Sequence, residues 1–339
     1  METTTLGRTG LTVSRTAFGC LPIQRIPKEE AVSMLRRAVN GGITFFDTAR
    51  GYSDSEEKIG QALHDVREGL VIATKTFART GEGLWEQLHE SLANLRTEFI
   101  DIYQFHNPPF LPGPGGADGL YDAALEAKRQ GLIRHIGITQ HSLALAKEAV
   151  LSGLYDTLQF PFNHLATTEE IALVELCGRE KVGFICMKAL SGGLIADASV
   201  PFAFLRQYPQ AVPIWGFQHP WELERLLDLE ANPPALDAGM QKRVEDERAR
   251  LTGAFCRSCG YCMPCPAGIP IYNANRMKQL ITRSPSAQWM TAAWQADMAK
   301  IEQCTRCGLC ERRCPYHLRP YETMPDHLTF YREYVKANA

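Results

Sequence analysis

The sequence predicts an α/β chain: a (β/α)8 barrel followed by a small, mainly α-helical, cysteine-rich domain. Three observations lead there. Strand-like and helix-like segments alternate eight times between Thr16 and Leu229. The strand-like segments are mostly apolar, as strands covered by helices on both faces are. Eight of the eleven cysteines fall between Cys256 and Cys314. Eight strand–helix units in this length approach the roughly 250 residues of a closed barrel. A doubly wound open sheet is the competing architecture. It would carry a glycine-rich phosphate turn after its first strand, where Gly19-Cys20-Leu21-Pro22 stands instead.

The elements follow in order. Thr5–Ser14 has two apolar patches around Arg8-Thr9-Gly10, a short hairpin that could plug one end of the barrel. Strands are expected at Thr16–Cys20, Ile43–Asp47, Leu70–Thr74, Ile100–His106, Ile133–Thr139, Thr157–Phe162, Gly183–Lys188 and Val212–Phe217. Helices are expected at Lys28–Asn40, Ser55–Asp65, Leu84–Leu95, Gly119–Gln130, Ser142–Ser152, Thr168–Glu180, Val200–Gln207 and Trp221–Leu229. The Pro/Gly-rich run Asn107–Gly119 follows the fourth strand, where a barrel keeps its active-site rim. A composition break at Asn232-Pro233-Pro234 divides the chain into domains 1–235 and 236–339. A charged helix-like segment, Gln241–Arg250, then leads to Cys256, and Ile271–Ile281 and Ser286–Ile301 read as helical, with Trp289 and Trp294 as packing residues.

With 339 residues, 45% of them hydrophobic, and a formal net charge of −2, the chain can build a large core. That charge gives no electrostatic basis for nucleic acid or an anionic membrane as partner. METTTLGRTGLTVS lacks a basic-then-apolar segment, and no apolar run approaches the roughly 20 residues of a spanning helix. The expectation is a soluble, cytoplasmic protein. In a reducing cytosol the clustered cysteines are ligands rather than disulfides. The scattered Cys20, Cys177 and Cys186 are expected to be buried small apolar residues.

Chemistry enters at Ile43–Glu57, ITFFDTARGYSDSEE, where an acid ends a buried strand and a phenol follows five residues later. Asp47, Tyr52, Lys75 after VIAT and His106 after IDIYQF all stand at or just beyond strand ends, and a barrel gathers such ends around one pocket. An unperturbed tyrosine near pKa 10 is a weak acid at neutral pH. A neighbouring ammonium would lower that value, Asp47 could balance the buried Lys75, and His106 could orient a carbonyl oxygen toward Tyr52. FFDTARGYSDSEEKIG, ATKT and YQFHNPP resemble the three signature segments of the aldo/keto reductase family, and the likeness runs from LGRTGL through the eighth unit. The resemblance implies a catalytic tetrad of Asp47, Tyr52, Lys75 and His106. It also implies hydride transfer from NADP or NAD to a small-molecule aldehyde or ketone, with Tyr52 protonating the developing alkoxide. Retention of His106 favours carbonyl over carbon–carbon double-bond reduction.

The same resemblance implies where the nicotinamide cofactor is held. Gly19-Cys20, Thr139-Gln140 and Gln159 match positions around the nicotinamide and its ribose, and Met187 stands where the family often stacks an aromatic ring. Ser191-Gly192-Gly193 matches the pyrophosphate loop. Gly216-Phe217-Gln218 matches the adenosine-phosphate loop, where the following helix N-terminus would favour an anion. The family's Glu-Asn and basic residue are replaced by Trp221-Glu222-Leu223-Glu224-Arg225-Leu226, which leaves NADP against NAD open.

Two cysteine runs follow. Cys256, Cys259, Cys262 and Cys265-Pro266 are spaced by two residues throughout; Cys304, Cys307, Cys310 and Cys314-Pro315 have a last gap of three. The second run matches the bacterial-ferredoxin pattern, in which the fourth thiolate ligates the other [4Fe–4S] cluster. By that logic Cys256, Cys259, Cys262 and Cys314 hold one cluster, and Cys304, Cys307, Cys310 and Cys265 the second. The long spacer between the runs resembles the α-helical two-cluster ferredoxins. Two structural zinc sites are the alternative, although zinc ribbons commonly use two separated CxxC pairs. The leading functional expectation is thus a carbonyl reductase barrel fused to a ferredoxin-type domain, with a possible redox partner protein. The alternative is a nicotinamide-binding redox sensor with structural or regulatory clusters and little turnover.

Overall fold

The computed structural model describes residues 1–193, 195–251, 256, 260–283, 286–314 and 316–338. These divide into two compact units, Met1–Met240 and Gln241–Ala339. Among the described residues, no helix is long and apolar enough to cross a membrane.

In the first unit a hairpin of β1 (Thr3–Thr5) and β2 (Thr12–Ser14) precedes eight strand–helix units. They are β3 (Ala17–Gly19) with α1 (Lys28–Asn40), β4 (Phe45–Asp47) with α2 (Ser55–Leu63), β5 (Val71–Thr76) with α3 (Gly81–Leu95), and β6 (Ile100–His106) with α4 (Leu120–Arg129). β7 (Ile133–Thr139) with α5 (Leu143–Leu151), β8 (Thr157–Pro161) with α6 (Thr168–Arg179), β9 (Gly183–Met187) with α7 (Ser199–Leu205), and β10 (Ala211–Gly216) with α8 (Pro220–Ala231) complete the series. Consecutive strands pair in parallel, and β10 closes on β3, so the sheet is a barrel with no free edge, as the alternation predicts.

Alternation along the strands sorts the barrel interior into layers. Ala17, Phe45, Val71, Ala73, Ile102, Ile185, Val212 and Ile214 form an apolar layer, to which the hairpin adds Leu6 and Val13, both fully buried. The hairpin is thus the expected stopper. Its turn fits because Gly7 has φ +55° and a Cβ there would lie 2.3 Å from the Gly183 backbone nitrogen, a space only glycine can occupy. Toward the strands' C-terminal ends the inward residues become polar: Asp47, Lys75, Gln104, Thr139 and Gln159, all buried.

The second unit is built from helices, and every element assigned among its described residues is helical. They are α9 (Ala238–Leu251), which begins in the last residues of the first unit, α10 (Ile271–Ala274), α11 (Met277–Arg283), α12 (Ala292–Ala299), α13 (Leu309–Arg312) and α14 (Pro320–Ala337), with 3₁₀ turns at Ser286–Trp289 and Lys300–Gln303. Two expected helices are shorter than their apolar patterns. The first breaks after Ala274, and the Asn275 side chain there donates to Ile271 O at 3.0 Å and accepts from Thr323. The second starts afresh at Thr291, whose hydroxyl accepts from Trp294 N at 3.3 Å as an N-cap. No element is expected from the sequence beyond Pro315, yet α14 buries Met324, Leu328 and Tyr331 against Met277, Ile281 and Met298. The spacing of those three residues, with Pro320 at the first helical position, is the signal for it. Trp289 and Trp294 pack on this core, their rings 4.8 Å apart.

Candidate active site and cysteine-lined cavities

The inward polar layer converges on one carboxylate. Lys75 Nζ donates to Asp47 Oδ1 at 2.6 Å and to Thr48 O at 2.5 Å. Gln104 Nε2 donates to Asp47 Oδ2 at 3.1 Å and Gln159 Nε2 to Oδ1 at 3.4 Å. The Lys75 ammonium also lies 5.0 Å from the Tyr52 ring centre, and the His106 ring meets Tyr52 edge to face at 5.8 Å. β4, β5, β6 and the β4–α2 loop therefore bring all four expected site residues together.

Burial sets their ionisation. It pushes the Asp47 carboxyl up and opposes the charge on Lys75. For the lysine the nearby Asp47 and Tyr52 outweigh burial and hold the amine above its ordinary value. Tyr52 departs from the expectation of a lowered pKa: burial raises it, and Lys75 only opposes that rise. A phenol so placed stays protonated at neutral pH, and the ammonium is poised to stabilise the charge left when its proton departs. Burial, with a smaller contribution from Lys75, drops His106 to about 3, so its imidazole is neutral.

Two buried networks hold the Tyr52 loop. Glu56, 1% exposed, accepts from Thr74 Oγ1 at 2.6 Å and from Ser91 Oγ at 2.7 Å, and pairs with Arg50 of the loop. Lys58, 2% exposed, donates to Ile23 O and Ile26 O at 2.9 Å each, tying the β3–α1 connection to α2. Ser55 adds a bond to Cys20 O at 3.0 Å. Cys20, Cys177 and Cys186 are buried, and burial pushes all three thiols up.

The positions matched to a cofactor stand at the C-terminal ends of β3, β7, β8, β9 and β10. Gly19 and Gly216 are register partners, leaving bare backbone at that point of the mouth. Thr139 Oγ1 accepts from Asn107 N at 2.9 Å and Gln140 Nε2 donates to Pro108 O at 2.8 Å, so both brace the rim loop. The Gln159 side-chain oxygen is buried with no hydrogen-bond partner among the described residues. Met187 is half-buried, and Ser191 Oγ accepts from Asn163 Nδ2 at 2.8 Å beside Gly192 and Gly193, which have φ of 71° and 92°. Phe217 is buried edge to face on Phe18, 4.9 Å away. One expectation meets an obstacle at α8. Glu222 Oε2 accepts from Gln218 N at 2.6 Å and from His219 N at 2.9 Å, and Pro220 has no N–H, so a carboxylate already occupies the backbone donors that lead into that N-terminus.

In the second unit the thiols line two cavities. Cys265, Cys304, Cys307 and Cys310 face the first, together with Ile269, Tyr321 and Met324. Cys256 and Cys314 face the other, with Asn275 and Tyr316, and Cys262 borders both. Cys259 lies outside the described residues. Among the described residues, no three His, Cys, Asp or Glu side chains are gathered tightly enough to hold a single metal ion.

Residues 15–212 match the model of the aldo/keto reductase family, and residues 255–319 that of a 4Fe-4S dicluster domain. The chain belongs to the aldo/keto reductase family. It also carries a 4Fe-4S dicluster domain. The uncharacterized oxidoreductase YqkF of Bacillus subtilis is 31% identical over 43% of this chain and 51% of its own length. The aldo-keto reductase YhdN of the same organism is 28% identical over 58% of this chain and 64% of its own length. This aldo/keto reductase therefore spans about half to two thirds of the length of these curated relatives. The holo form of aldo-keto reductase AKR11C1 from Bacillus halodurans superposes with a TM-score of 0.64 at 19% identity, covering 73% of this chain and 96% of that one, and shows the shared fold.

Three further residues of this family member support the site without being evident from the strand-end pattern. Gln104 lies between Ile102 and His106 on the inward face of β6, and that alternation is its signal. Glu56 falls on the buried stripe Glu56, Ile59, Leu63 of α2, where an acid in the first turn otherwise reads as a helix cap. Phe77, 49% exposed, follows β5 and faces Gly51 beside Tyr52.

Proposed function

We propose that this aldo/keto reductase reduces an aldehyde or ketone with a reduced nicotinamide dinucleotide, Tyr52 acting as general acid. The observation that carries the reading is the assembly of Tyr52, Lys75, Asp47 and neutral His106 at one barrel mouth. A bound nicotinamide supplies the hydride. The residues present suit one: the unpartnered Gln159 oxygen is an acceptor for a carboxamide N–H, and the glycines at 19, 192, 193 and 216 give close backbone approach.

On this reading the neutral His106 donates a hydrogen bond to the substrate oxygen and aligns it with the Tyr52 hydroxyl. Tyr52 holds its proton until charge develops on that oxygen, then delivers it. Lys75, kept charged by Asp47, stabilises the resulting phenolate. Gln104 and Gln159 fix the Asp47 carboxylate, and burial of the group strengthens each of these interactions.

The cysteine cavities support two [4Fe–4S] clusters. Cys265, Cys304, Cys307 and Cys310 would hold one, and Cys256, Cys259, Cys262 and Cys314 the other, an exchange of the fourth ligand between runs. Thiolate-held clusters supply one-electron chemistry, which suits exchange with a redox partner protein.

Tyr52→Phe tests the proposal. Turnover of a panel of small aldehydes, followed by nicotinamide absorbance, is expected to fall by about 10²- to 10⁴-fold. Nicotinamide binding, followed by fluorescence titration, should persist. Undiminished turnover overturns the assignment.

A further inference from the structure

The second cysteine run lies on a surface edge. Cys310 is buried and Cys304 half-buried, but Thr305, Arg306 and Cys307 are exposed, so one rim of their shared cavity opens to solvent. That rim is basic. Between Cys304 and Arg319 there are four arginines, Arg306, Arg312, Arg313 and Arg319, against one acid, Glu311. Arg319 binds Glu311 at 3.1 Å, and the nearby Glu302 is held by Arg332 at 2.7 Å. The other three have no ion-pair partner among the described residues. Arg312 and Arg313 are instead tethered to the loops that carry the thiols. Arg312 Nη1 donates to Cys307 O at 3.2 Å, and Arg313 Nη1 to Met263 O and Pro264 O, each at 3.4 Å.

We propose that this arginine-bearing edge is the docking surface for an acidic, one-electron carrier protein, which reduces the cluster held by Cys265, Cys304, Cys307 and Cys310. The proposal rests on the ligand assignment above. In the step the reduced carrier loses one electron and the cluster gains one; no bond or proton moves. Three exposed guanidinium groups without an ion-pair partner among the described residues, spread over two segments, suit a macromolecular face better than a small anion, which needs a concave site. Their charge attracts an acidic partner, speeds encounter and repels basic ones. A carrier docked there meets the ligand Cys307 at the surface.

The test uses the anaerobically reconstituted full chain, with iron and sulfide content and the spin spectrum after dithionite reporting both clusters. A reduced plant-type [2Fe–2S] ferredoxin of net negative charge is the probe. Cluster bleaching is followed by stopped flow at low salt and at several times that ionic strength, and binding of the oxidised ferredoxin by calorimetry. The parent rate should fall steeply with salt. The combined R306Q/R312Q/R313Q variant should bleach at least ~10-fold more slowly at low salt, bind more weakly and lose the salt dependence. The combined R306K/R312K/R313K variant, which keeps the charge, should retain the salt dependence. A glutamine variant with full iron content and the parent's rate, binding and salt response overturns the proposal and makes the arginines local counter-charges only. Should that variant lose iron, the parent decides: a salt-independent rate overturns the proposal. A parent without iron overturns it together with the ligand assignment.

Discussion

His106 shows how far one side chain's environment departs from its free chemistry. A free imidazole takes up a proton near pH 6.5, whereas burial and Lys75 hold this one neutral down to about 3. The unfolded chain therefore binds more protons between those values. Stability from this group is present above the unfolded pKa and lost as pH falls through the window from about 6.5 toward 3. Denaturant unfolding at a series of pH values should show a shallower acid loss in His106→Gln than in the parent, and parallel curves would remove the histidine from that role. In catalysis the same neutrality means no inflection from His106 between pH 5 and 8. The raised Tyr52 should confine loss of the proton donor to alkaline pH, so kcat for reduction stays flat through neutrality and declines above about 10. An acid-limb inflection near 6.5 that vanished in His106→Gln would contradict this. These residues were legible in the sequence because each stands at or just beyond a strand end, and a barrel converts that position into proximity. Their protonation was not legible, because a lowered phenol pKa follows from a neighbouring ammonium alone, and only the enclosed site shows that desolvation outweighs it.

At the scale of elements, the Tyr52 loop is held from behind by the buried Glu56, which joins β5, α3 and the loop through Thr74, Ser91 and Arg50. Glu56→Ala leaves the Thr74 and Ser91 hydroxyls without their acceptor in a dry site and leaves Arg50 only its second carboxylate, Glu90 at 3.0 Å. A loss of about 2–4 kcal/mol is expected, read from denaturant midpoints, with reductive kcat falling alongside. Glu56→Gln keeps an acceptor for the hydroxyls and should recover part of both; equal loss in the two variants would show that the charge is the whole effect. A second constraint is steric. A Cβ on Gly137 of β7 would lie 2.3 Å from Thr157 Oγ1 and 2.9 Å from Gln104 Cγ, so Gly137→Ala should cost about 1–3 kcal/mol and displace the side chain that fixes Asp47. The strands and their order were readable because an apolar run of strand length can be placed without knowing its neighbours. The break at Asn275 was not, since it depends on Thr323 of α14, a contact 48 residues away. The engaged N-terminus of α8 was hidden for a similar reason: Glu222 reads as an ordinary first-turn acid until its bonds to Gln218 and His219 are seen.

At the scale of the whole molecule, the two units hold their shape by different means. The barrel closes its own hydrogen-bond ladder and fills its interior with a continuous apolar layer and a hairpin stopper, so nothing in its core calls for a metal. In the second unit α10, α11, α12 and α13 run only four to eight residues, too short to persist without tertiary support. Its apolar core includes Cys262 and Cys310, the very side chains that face the cavities. A unit whose core is interrupted by thiol-lined space draws folding free energy from whatever fills that space. Removing the clusters by chelation, or blocking one with Cys304→Ser and Cys310→Ser and the other with Cys262→Ser and Cys314→Ser, should therefore act on one unit alone. Calorimetry should lose the transition of the helical unit, with a matching fall in helical circular dichroism. The barrel transition should remain, along with Tyr52-dependent aldehyde reduction by added nicotinamide. Loss of both transitions on removing iron would instead mean that the clusters stabilise the barrel, and that its closed core is not sufficient by itself.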